Sequence, residues 1–273
     1  MIRPRCWPKD SDIVRSVSKA RSEMIDNLVS IIMPSYNAAR FVDAALDSVL
    51  AQTYTNWELL VVDDASKDES VKTIEAYAGQ DVRIRLIPLS RNVGAAAARN
   101  IALEQARGRY IAFLDSDDVW SPNKLECQIA FMQAHGYAFT ITGYDTIDEA
   151  GSSVNRVIHV PSKLTYRQYL RNTIIGCLTV VIDRQQTGDF RMPEIKSSHD
   201  MALWCLIMRR GFDVYGLDEV LAHYRLVSTS NTAKKWKAAK DVWRVYREWE
   251  HLSIPYAAWN FCGYAINAVL KRL

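Results

Sequence analysis

The sequence lacks a long apolar run, a CxxC pair and a strong excess of charge of either sign. No apolar stretch approaches the ~20 residues that a membrane-spanning helix requires, so we expect no transmembrane segment. The five cysteines are scattered, which argues against a disulfide framework or a zinc site and favours reduced thiols in the cytoplasm. The net charge of +3 predicts no nucleic-acid partner.

The first part of the chain lacks the apolar core of a signal peptide. Charged residues alternate there with short apolar pairs, and we interpret residues 1–27 as an N-terminal extension. The whole chain of 273 residues is 49% hydrophobic, which is enough to bury a full α/β core. We predict one domain over residues 28–230, with halves 28–120 and 121–230, and a C-terminal tail over residues 231–273.

The most informative segment is an apolar run, residues 110–114, that leads directly into Asp115, Asp117 and Asp118. Such a run predicts a strand buried on both faces, and open α/β sheets bind ligands at the carboxyl ends of their strands. Closely spaced carboxylates repel one another and favour a divalent cation, and oxygen ligands suit Mg²⁺ or Mn²⁺. We predict a metal–diphosphate site here. The alternative is a polar loop before a helix that begins at Ser121-Pro122.

The same design occurs earlier, where a second apolar strand ends in Asp63 and Asp64. Strand and helix patterns alternate along this part of the chain with short connections, which indicates a largely parallel, doubly wound sheet. Its predicted elements are strands near residues 29–37, 57–63 and 83–89, and helices over 40–52 and 94–107, the second stopped by Gly108. The acids should therefore cluster at one edge of the sheet.

These motifs together resemble one enzyme family. The segments VSIIMPSYN, ELLVVDDAS, RNVGAAAARN and YIAFLDSDD, in this order, are similar to family 2 of the glycosyltransferases, and the match covers about residues 28–230. The later segment LAHYRL and the Lys/Trp-rich tail resemble the bacterial teichuronic-acid and O-antigen subgroup. The resemblance implies the GT-A fold, a Rossmann-like α/β sheet, followed here by a helical tail.

The resemblance also implies an activity. Members invert the anomeric centre and use a metal to move a hexose or N-acetylhexosamine from a UDP-sugar to a hydroxyl. For this subgroup the acceptor is a cell-surface glycan on a polyprenyl diphosphate. Residues 28–120 would then form the nucleotide-binding half and residues 121–230 the acceptor half.

Carried over by position, the resemblance implies roles for the nucleotide-side residues. Asp64 would accept a hydrogen bond from uracil N3–H, a role that suits an acceptor-only carboxylate. Pro34 and Tyr36 would lie beside the base, and Arg99 would lie near the nucleotide. Two alternatives stay open: Tyr36 could only close its turn, and Arg99 could form an ion pair on a helix surface.

The resemblance also implies roles for the acidic residues. Asp115 would lie toward the ribose and metal, and Asp117 would bind the metal directly. Asp63 is expected to orient its loop, and Asp118 to cap or support the neighbouring helix.

The acceptor side is predicted from His199-Asp200 before an apolar helix. The family usually has Glu-Asp at this point, so Asp200 is retained and His199 replaces an acid. Inverting transfer needs a base that takes the proton of the attacking hydroxyl, and we predict that Asp200 is this base. The alternatives are an N-cap role for Asp200 and, for His199, contact with the acceptor, metal, phosphate, solvent or a local hydrogen-bond partner.

Two other function classes fit parts of the pattern. A haloacid-dehalogenase-like phosphatase would use Asp115 as nucleophile and Asp117 as acid/base with Mg²⁺. That motif opens such folds, whereas here several strands precede it. A non-catalytic nucleotide-sugar-binding protein is the second alternative, if His199 marks a lost acceptor site.

The tail is basic and aromatic. From Lys234 onward it has eight Lys or Arg residues against three acids, together with Trp236, Trp243 and Tyr246. The pattern predicts two helices broken near Ser253, with peripheral contact to an anionic membrane at the inner face of the plasma membrane. The alternative is that these aromatic side chains pack against the catalytic domain.

Overall fold

A computed structural model describes residues 24–195, 197–227 and 235–270. These residues form an α/β fold around one ten-stranded sheet, with helices packed on both faces. The predicted fold class is confirmed, because most of the sheet is parallel and helices alternate with strands. Lys234, which begins the predicted basic tail, and most of the predicted N-terminal extension lie outside the described residues.

The first half of the sheet alternates strands with helices. Its elements are β1 (Ile25–Ser35), α1 (Val42–Leu50), β2 (Trp57–Asp63), α2 (Ser70–Gln80), β3 (Ile84–Pro88), α3 (Ala95–Gln105) and β4 (Gly108–Phe113). The four strands are parallel and lie in the order β3-β2-β1-β4. Strand β1 begins at Ile25, three residues before the predicted domain boundary.

The second half adds shorter and mixed strands. Its elements are β5 (Val119–Trp120), α4 (Lys124–His135), β6 (Phe139–Ile147), β7 (Ser153–Ile158), β8 (Lys163–Leu164), α5 (Tyr166–Arg171), a 3₁₀ turn (Cys177–Thr179), β9 (Val181–Asp183), α6 (Arg184–Thr187), α7 (His199–Arg209) and β10 (Val214–Arg225). Strand β9 runs antiparallel between β4 and β6 and joins the two halves. Strands β6 and β10 are parallel to each other, and β5 pairs with β10 in the antiparallel sense.

The parallel pairing of β1 with β2 and β4 brings the carboxyl ends of these strands to one edge of the sheet. In the register of β1 with its neighbours, Ser35 pairs with Asp63 and Ile32 pairs with Phe113. The acids that follow β2 and β4 therefore emerge at the same edge of the sheet, as the alternation of elements predicts.

Two apolar clusters hold the helices on the sheet. Helices α1 and α4 cover one face, where Leu46 and Ile129 are buried. Helices α3 and α7 cover the other, where Trp204 packs edge-on against Phe113 with ring centroids 5.5 Å apart. Helix α7 is thereby fixed beneath the end of β4, which positions its first turn near the acids.

The predicted stop of α3 at Gly108 is wrong. The helix ends at Gln105, and Gly108 is the first residue of β4. A Cβ at Gly108 would lie 2.5 Å from the carbonyl oxygen of Leu28 on the neighbouring strand. Glycine is needed there for the close approach of two strands and does not act as a helix cap.

The predicted helix start at Ser121-Pro122 is also wrong. Helix α4 begins at Lys124, and Asn123 occupies the N-cap position. The Ser121 hydroxyl lies 3.0 Å from His223 Nε2 instead. Residues 119 and 120 pair with β10, so the chain continues as a short strand before it turns into the helix.

The tail folds as two helices broken near Ser253, as predicted. They are α8 (Lys235–Arg244), continued by a π-helical turn (Val245–Trp249), and α9 (Ile254–Leu270). Tyr246 is fully buried and donates a hydrogen bond to the Leu170 carbonyl. For Trp243 and Tyr246 the packing alternative is therefore confirmed, because both belong to the core contacts of the domain.

Among the helices within residues 24–195, 197–227 and 235–270, none is both long enough and apolar enough to cross a membrane.

Candidate active site

The three acids after β4 lie in a tight turn at the centre of the sheet edge. The Leu114 amide donates to the Ile32 carbonyl at 3.1 Å, which extends the pairing of β4 with β1 up to the turn. The Asp118 amide then donates to the Asp115 carbonyl at 3.1 Å. This turn holds Asp115, Asp117 and Asp118 within one loop between the two halves of the sheet.

Arg99 connects this loop to helix α7. Its side chain is 5% exposed, and its guanidinium donates one hydrogen bond to Asp115 and another, at 2.8 Å, to His199 Nε2. Burial alone would lower the pKa of Arg99, but the negative charges of Asp115 and Asp200 outweigh burial and raise it. The alternative of an ion pair on a helix surface is wrong for Arg99, because the residue is buried at the centre of the site.

His199 is a neutral acceptor in this arrangement. Burial and the charge of Arg99 lower its pKa. Because guanidinium has only donors, His199 Nε2 must accept and the imidazole proton lies on Nδ1. Among the roles considered for His199, the structure supports a local hydrogen bond.

Asp117 is a partly buried carboxylate whose ionised form is unfavourable in the absence of a cation. Burial and the negative charge of Asp115 raise the pKa of Asp117 to about 6. A divalent cation would relieve both effects, so the donor set fits a bound metal. Within the described ranges no group of three or more His, Cys, Asp or Glu side chains is placed to hold a metal. The loop could thus supply part of a coordination shell, as is usual when Mg²⁺ or Mn²⁺ also binds phosphates and water.

Asp118 supports a strand and does not cap or support the neighbouring helix, so that prediction is wrong. Its Oδ1 accepts a hydrogen bond from the Arg225 amide at 2.9 Å. The reason is the short strand β5, which follows the loop and pairs with β10, bringing the end of β10 against the acids. Burial, followed by the charges of Asp117 and Asp115, raises the pKa of Asp118 well above its usual range.

Arg225 is a residue of the site that the sequence reasoning missed. Its Nε donates to the Asp117 carbonyl at 2.8 Å, and its Nη1 donates to the Asp148 carbonyl at 3.0 Å. Its guanidinium carbon lies 5.1 Å from the centre of the Phe41 ring. Arg225 therefore ties the acidic loop to the turn after β6. Arg225 lies in the LAHYRL segment, but no local sequence pattern in that segment predicts these contacts.

Asp64 and Asp63 shape the loops at the nucleotide side. The Asp64 carboxylate is 3% exposed and accepts from the backbone amides of Val93 at 2.6 Å and Gly94 at 2.8 Å. Each carboxylate oxygen can accept a further hydrogen bond. Asp63 accepts from the Ser66 amide at 2.8 Å and hydroxyl at 2.6 Å, within its own loop.

Tyr36 lies at the rim of this edge with 49% of its surface exposed. It follows Pro34 and Ser35 at the end of β1. The turn itself is closed by Asn37, whose amide donates to Ser66 Oγ at 2.8 Å and whose side chain accepts from the Lys67 amide at 2.9 Å. The Tyr36 ring is thus open to contact with a ligand at the carboxyl ends of β1 and β2.

Asp200 lies in the first turn of α7, and the N-cap position belongs to Ser198, with φ 57°. The N-cap alternative for Asp200 is therefore wrong. Its carboxylate is close enough to Arg99 for its charge to raise the pKa of that residue. The structure brings Asp115, Arg99, His199 and Asp200 together, although they come from three separate parts of the chain.

A pocket of about 500 Å³ opens on the other side of the acidic loop. Its lining includes Phe41, Asp145, Glu149, His223 and Arg225. The lining combines charged groups of both signs with apolar surface, so the pocket is not strongly charged. Such a surface suits a neutral polyhydroxyl ligand better than an anion.

At the wall of this pocket three side chains form a hydrogen-bonded chain that the sequence reasoning also missed. Asp145 Oδ1 lies 2.6 Å from His223 Nδ1, and Ser121 Oγ lies 3.0 Å from His223 Nε2. The Asp145 carboxylate can only accept, so it holds the imidazole proton on Nδ1 and leaves Nε2 as an acceptor.

Comparison with known proteins gives the family. Residues 30–190 match the model of glycosyl transferase family 2. The chain is 50% identical over 246 residues to TuaG of Bacillus subtilis, whose name assigns it to teichuronic acid biosynthesis, covering 90% of this chain and 98% of TuaG. It is 43% identical over 223 residues to WfgD of Escherichia coli, named a UDP-Glc:alpha-D-GlcNAc-diphosphoundecaprenol beta-1,3-glucosyltransferase, covering 81% of this chain and 86% of WfgD.

A solved structure shares the fold. The crystal structure of residues 1–349 of TarS from S. aureus with UDP-GlcNAc superposes with a TM-score of 0.65 at 22% identity, covering 80% of this chain and 64% of TarS 1–349. The family match excludes the phosphatase alternative, and the named glycosyltransferase relatives argue against a non-catalytic binding protein. The chain therefore belongs to glycosyltransferase family 2 and is a glycosyltransferase with the GT-A fold.

Proposed function

We propose that the protein is an inverting, metal-dependent transferase that moves a hexose or N-acetylhexosamine from a UDP-sugar to a cell-surface glycan on a polyprenyl diphosphate. One observation carries this proposal. The acidic loop, Arg99 and the first turn of α7 meet at the sheet edge, beside the strand ends that carry Asp64 and Tyr36. A donor across β1 and β2 would thus have its diphosphate near Asp117 and its sugar near Asp200.

On the donor side, residues 28–120 would form the nucleotide-binding half. Asp64 would accept from uracil N3–H with a remaining lone pair, while Pro34 and Tyr36 would contact the base. Asp115 would lie toward the ribose, held in place by Arg99. Asp117 would bind Mn²⁺ or Mg²⁺ directly. When bound, the cation would offset the negative charge of the departing diphosphate.

On the acceptor side, Asp200 would be the base. Inversion requires the acceptor hydroxyl to attack the anomeric carbon from the face opposite the diphosphate, and its proton must pass to a nearby group. His199 Nε2 is occupied by Arg99 and cannot take that proton while the contact persists. Asp200 carries the carboxylate on this turn of α7, and this carboxylate could take the proton instead.

The acceptor half, residues 121–230, would also supply a sugar subsite. The pocket beside the acidic loop adjoins Arg225, which is hydrogen-bonded to the Asp117 carbonyl. Its mixed charges and the ring of Phe41 suit a sugar residue of the acceptor. His223, oriented by Asp145, would accept from the Ser121 hydroxyl, and the Ser121 oxygen would in turn accept a hydrogen bond from that sugar.

The acceptor class and location rest on two supports. WfgD, at 43% identity, is named for a lipid-diphosphate-linked acceptor. The tail of this chain is basic and aromatic in sequence. We infer that the protein is cytoplasmic and makes peripheral contact with the anionic inner face of the plasma membrane, where such an acceptor would be reached.

A donor screen tests the proposal. The protein would be incubated with UDP-Glc, UDP-Gal, UDP-GlcNAc or UDP-GalNAc, with Mn²⁺ or EDTA, and with a short-chain GlcNAc-diphospholipid. We expect release of UDP from one donor, loss of release with EDTA, and a β-linked product from the α-linked donor. Retention of the α configuration, or full activity in EDTA, would contradict the proposal.

A further inference from the structure

Helix α9 is apolar on its outer face as well as on the face that packs against the domain. Its 17 residues include no Asp, Glu, Lys or Arg. Three large side chains on the outer face, those of Ile254, Trp259 and Ile266, are exposed by 62%, 63% and 60%. We call the exposed apolar residues of this face the outer stripe; they are Ile254, Ala258, Trp259, Cys262, Ala265 and Ile266.

The inner face of α9 is firmly attached to helix α5. Ala257 and Asn260 are fully buried, and Arg171 Nε donates to Asn260 Oδ1 at 3.3 Å. Gly263 lies so close to Arg171 that an added Cβ would be 3.0 Å from the Arg171 Cβ. The helix is therefore fixed in one orientation, and the outer stripe always faces away from the domain.

This arrangement is unusual for a helix on a protein surface. Such helices usually pair an apolar inner stripe with a charged outer face, and a helix that is apolar all round is normally buried. A contiguous apolar patch of this kind marks an interaction surface. The outer stripe therefore needs a partner that covers it.

The charges around the outer stripe indicate what this partner is. Arg171 is exposed beside it, with its guanidinium carbon 5.4 Å from the centre of the Trp259 ring. Arg167, one turn earlier on α5, is also exposed. The sequence from residue 251 to residue 273 contains no acid and ends in Lys-Arg-Leu. An apolar stripe with a positive border is complementary to anionic lipid.

We propose that the outer stripe lies in the interface of an anionic membrane, with α9 parallel to the membrane plane. Trp259 would lie at headgroup depth, where tryptophan is enriched, and Arg171 would reach lipid phosphates. This inference rests on the membrane contact of the proposed function and names the surface that makes it. It assigns the contact to α9 and not to the aromatic residues of α8, since Trp243 and Tyr246 pack inward.

The location of the outer stripe also fits the chemistry. Helix α9 packs on α5, and α5 packs on α7, whose first turn carries Asp200. The membrane-facing surface and the proposed base thus lie in one layer of helices. A lipid-linked acceptor would then approach the site from the membrane that holds the protein.

Vesicle flotation with the full chain tests this inference. The probe is a vesicle of equal parts phosphatidylcholine and phosphatidylglycerol, with pure phosphatidylcholine for comparison. Replacing the three large residues, Ile254→Gln, Trp259→Gln and Ile266→Gln, keeps side chains that favour helix. We expect the partition onto anionic vesicles to fall about 100-fold, because three exposed apolar side chains lose their transfer into the interface. Wild-type binding should also weaken at high salt.

A matched variant controls for the loss of exposed apolar surface. Leu50, Val82 and Val157 are exposed by 38%, 93% and 46% in other parts of the protein. Replacing all three with Gln should leave vesicle binding unchanged. Equal binding by wild type and the α9 variant would overturn the inference. Failure of wild type to float would also overturn it. If light scattering then shows a wild-type dimer that is lost in the α9 variant and kept in the control variant, the outer stripe is a surface for self-association.

The result can be separated from failure of the proposed function. The α9 variant should transfer sugar to a water-soluble acceptor at the wild-type rate, because none of the three residues belongs to the active site. If wild type transfers no sugar to the water-soluble acceptor or to the GlcNAc-diphospholipid, the proposed function fails. Flotation would still report on the outer stripe. If the variant loses flotation but keeps transfer to the soluble acceptor, the inference holds.

Discussion

Arg99 and His199 are hydrogen-bonded at 2.8 Å although 100 positions separate them in the sequence. This contact joins the helix on the nucleotide side to the helix that carries Asp200. Because Arg99 also binds Asp115, one buried guanidinium sets the spacing between the proposed metal-binding loop and the proposed base. A neutral His199 leaves Arg99 with one carboxylate partner in direct contact, where the usual family residue would provide a second.

His199→Glu should therefore be tolerated. The carboxylate would accept from Arg99 in a charge-assisted hydrogen bond, so we expect transfer within a few-fold of wild type and no loss of thermal stability. His199→Leu, the matched control, leaves a buried Arg99 donor unpaired and should lower the free energy of unfolding by about 1–3 kcal/mol. Denaturant unfolding of both variants measures this. Equal destabilisation by Glu and Leu would show that the hydrogen bond does not matter.

Asp117→Asn should stabilise the protein in the absence of metal. The pKa of Asp117 is raised to about 6, so its ionised form opposes folding. That opposition is absent below the unfolded pKa of about 4 and complete above about pH 6. We expect the variant to gain at most about 3 kcal/mol in free energy of unfolding at pH 8, and nothing at pH 3.5. Urea titrations in EDTA at both pH values measure the difference. A gain that is the same at both pH values would contradict the electrostatic cause.

The same Asp117→Asn variant should lose metal-dependent binding of UDP. An amide cannot supply the charge that offsets a dication, so calorimetry with Mn²⁺ should detect no binding above that seen in EDTA. Wild type should bind more weakly below about pH 6, because protonation of Asp117 competes with the metal. Tight binding by the variant that EDTA does not change would remove Asp117 from the metal site.

Asp145→Ala tests the pocket beside the acidic loop. Without the carboxylate, His223 is free to change tautomer and orientation, so its Nε2 no longer holds the Ser121 hydroxyl in a fixed direction toward the pocket. We expect KM for the acceptor to rise at least about tenfold, while KM for the UDP-sugar serves as the internal control and stays unchanged. A rise in the donor KM alone would place the donor in this pocket.

Sequence patterns were sufficient for the features that depend on local periodicity. The apolar runs before Asp63 and Asp115 predicted two buried parallel strands, and parallel strands bring their carboxyl ends together. The break near Ser253 followed from the proline after it. Strand and helix boundaries differed by a few residues, as at Gly108, where contact between strands and not helix termination explains the glycine.

Contacts between distant parts of the chain could not be predicted in the same way. Asp118 binds Arg225 because the short strand β5 turns back against β10, and no local pattern in residues 115–120 announces that turn. His223 meets Asp145 because β6 and β10 pair in parallel with those two residues in register. Helix α9 was expected to contribute to membrane contact only as part of a basic tail, since its exposed face depends on its packing against α5.

The most direct test of the central claim is the rate of sugar transfer by Asp200→Asn at saturating UDP-sugar. The amide keeps the size of the side chain but cannot take a proton from the acceptor hydroxyl. We expect a loss of at least ~10²-fold in kcat, the usual scale for a missing general base, with UDP affinity within a few-fold of wild type. A variant that transfers sugar at the wild-type rate, or that loses UDP binding together with transfer, would contradict the assignment of Asp200 as the base.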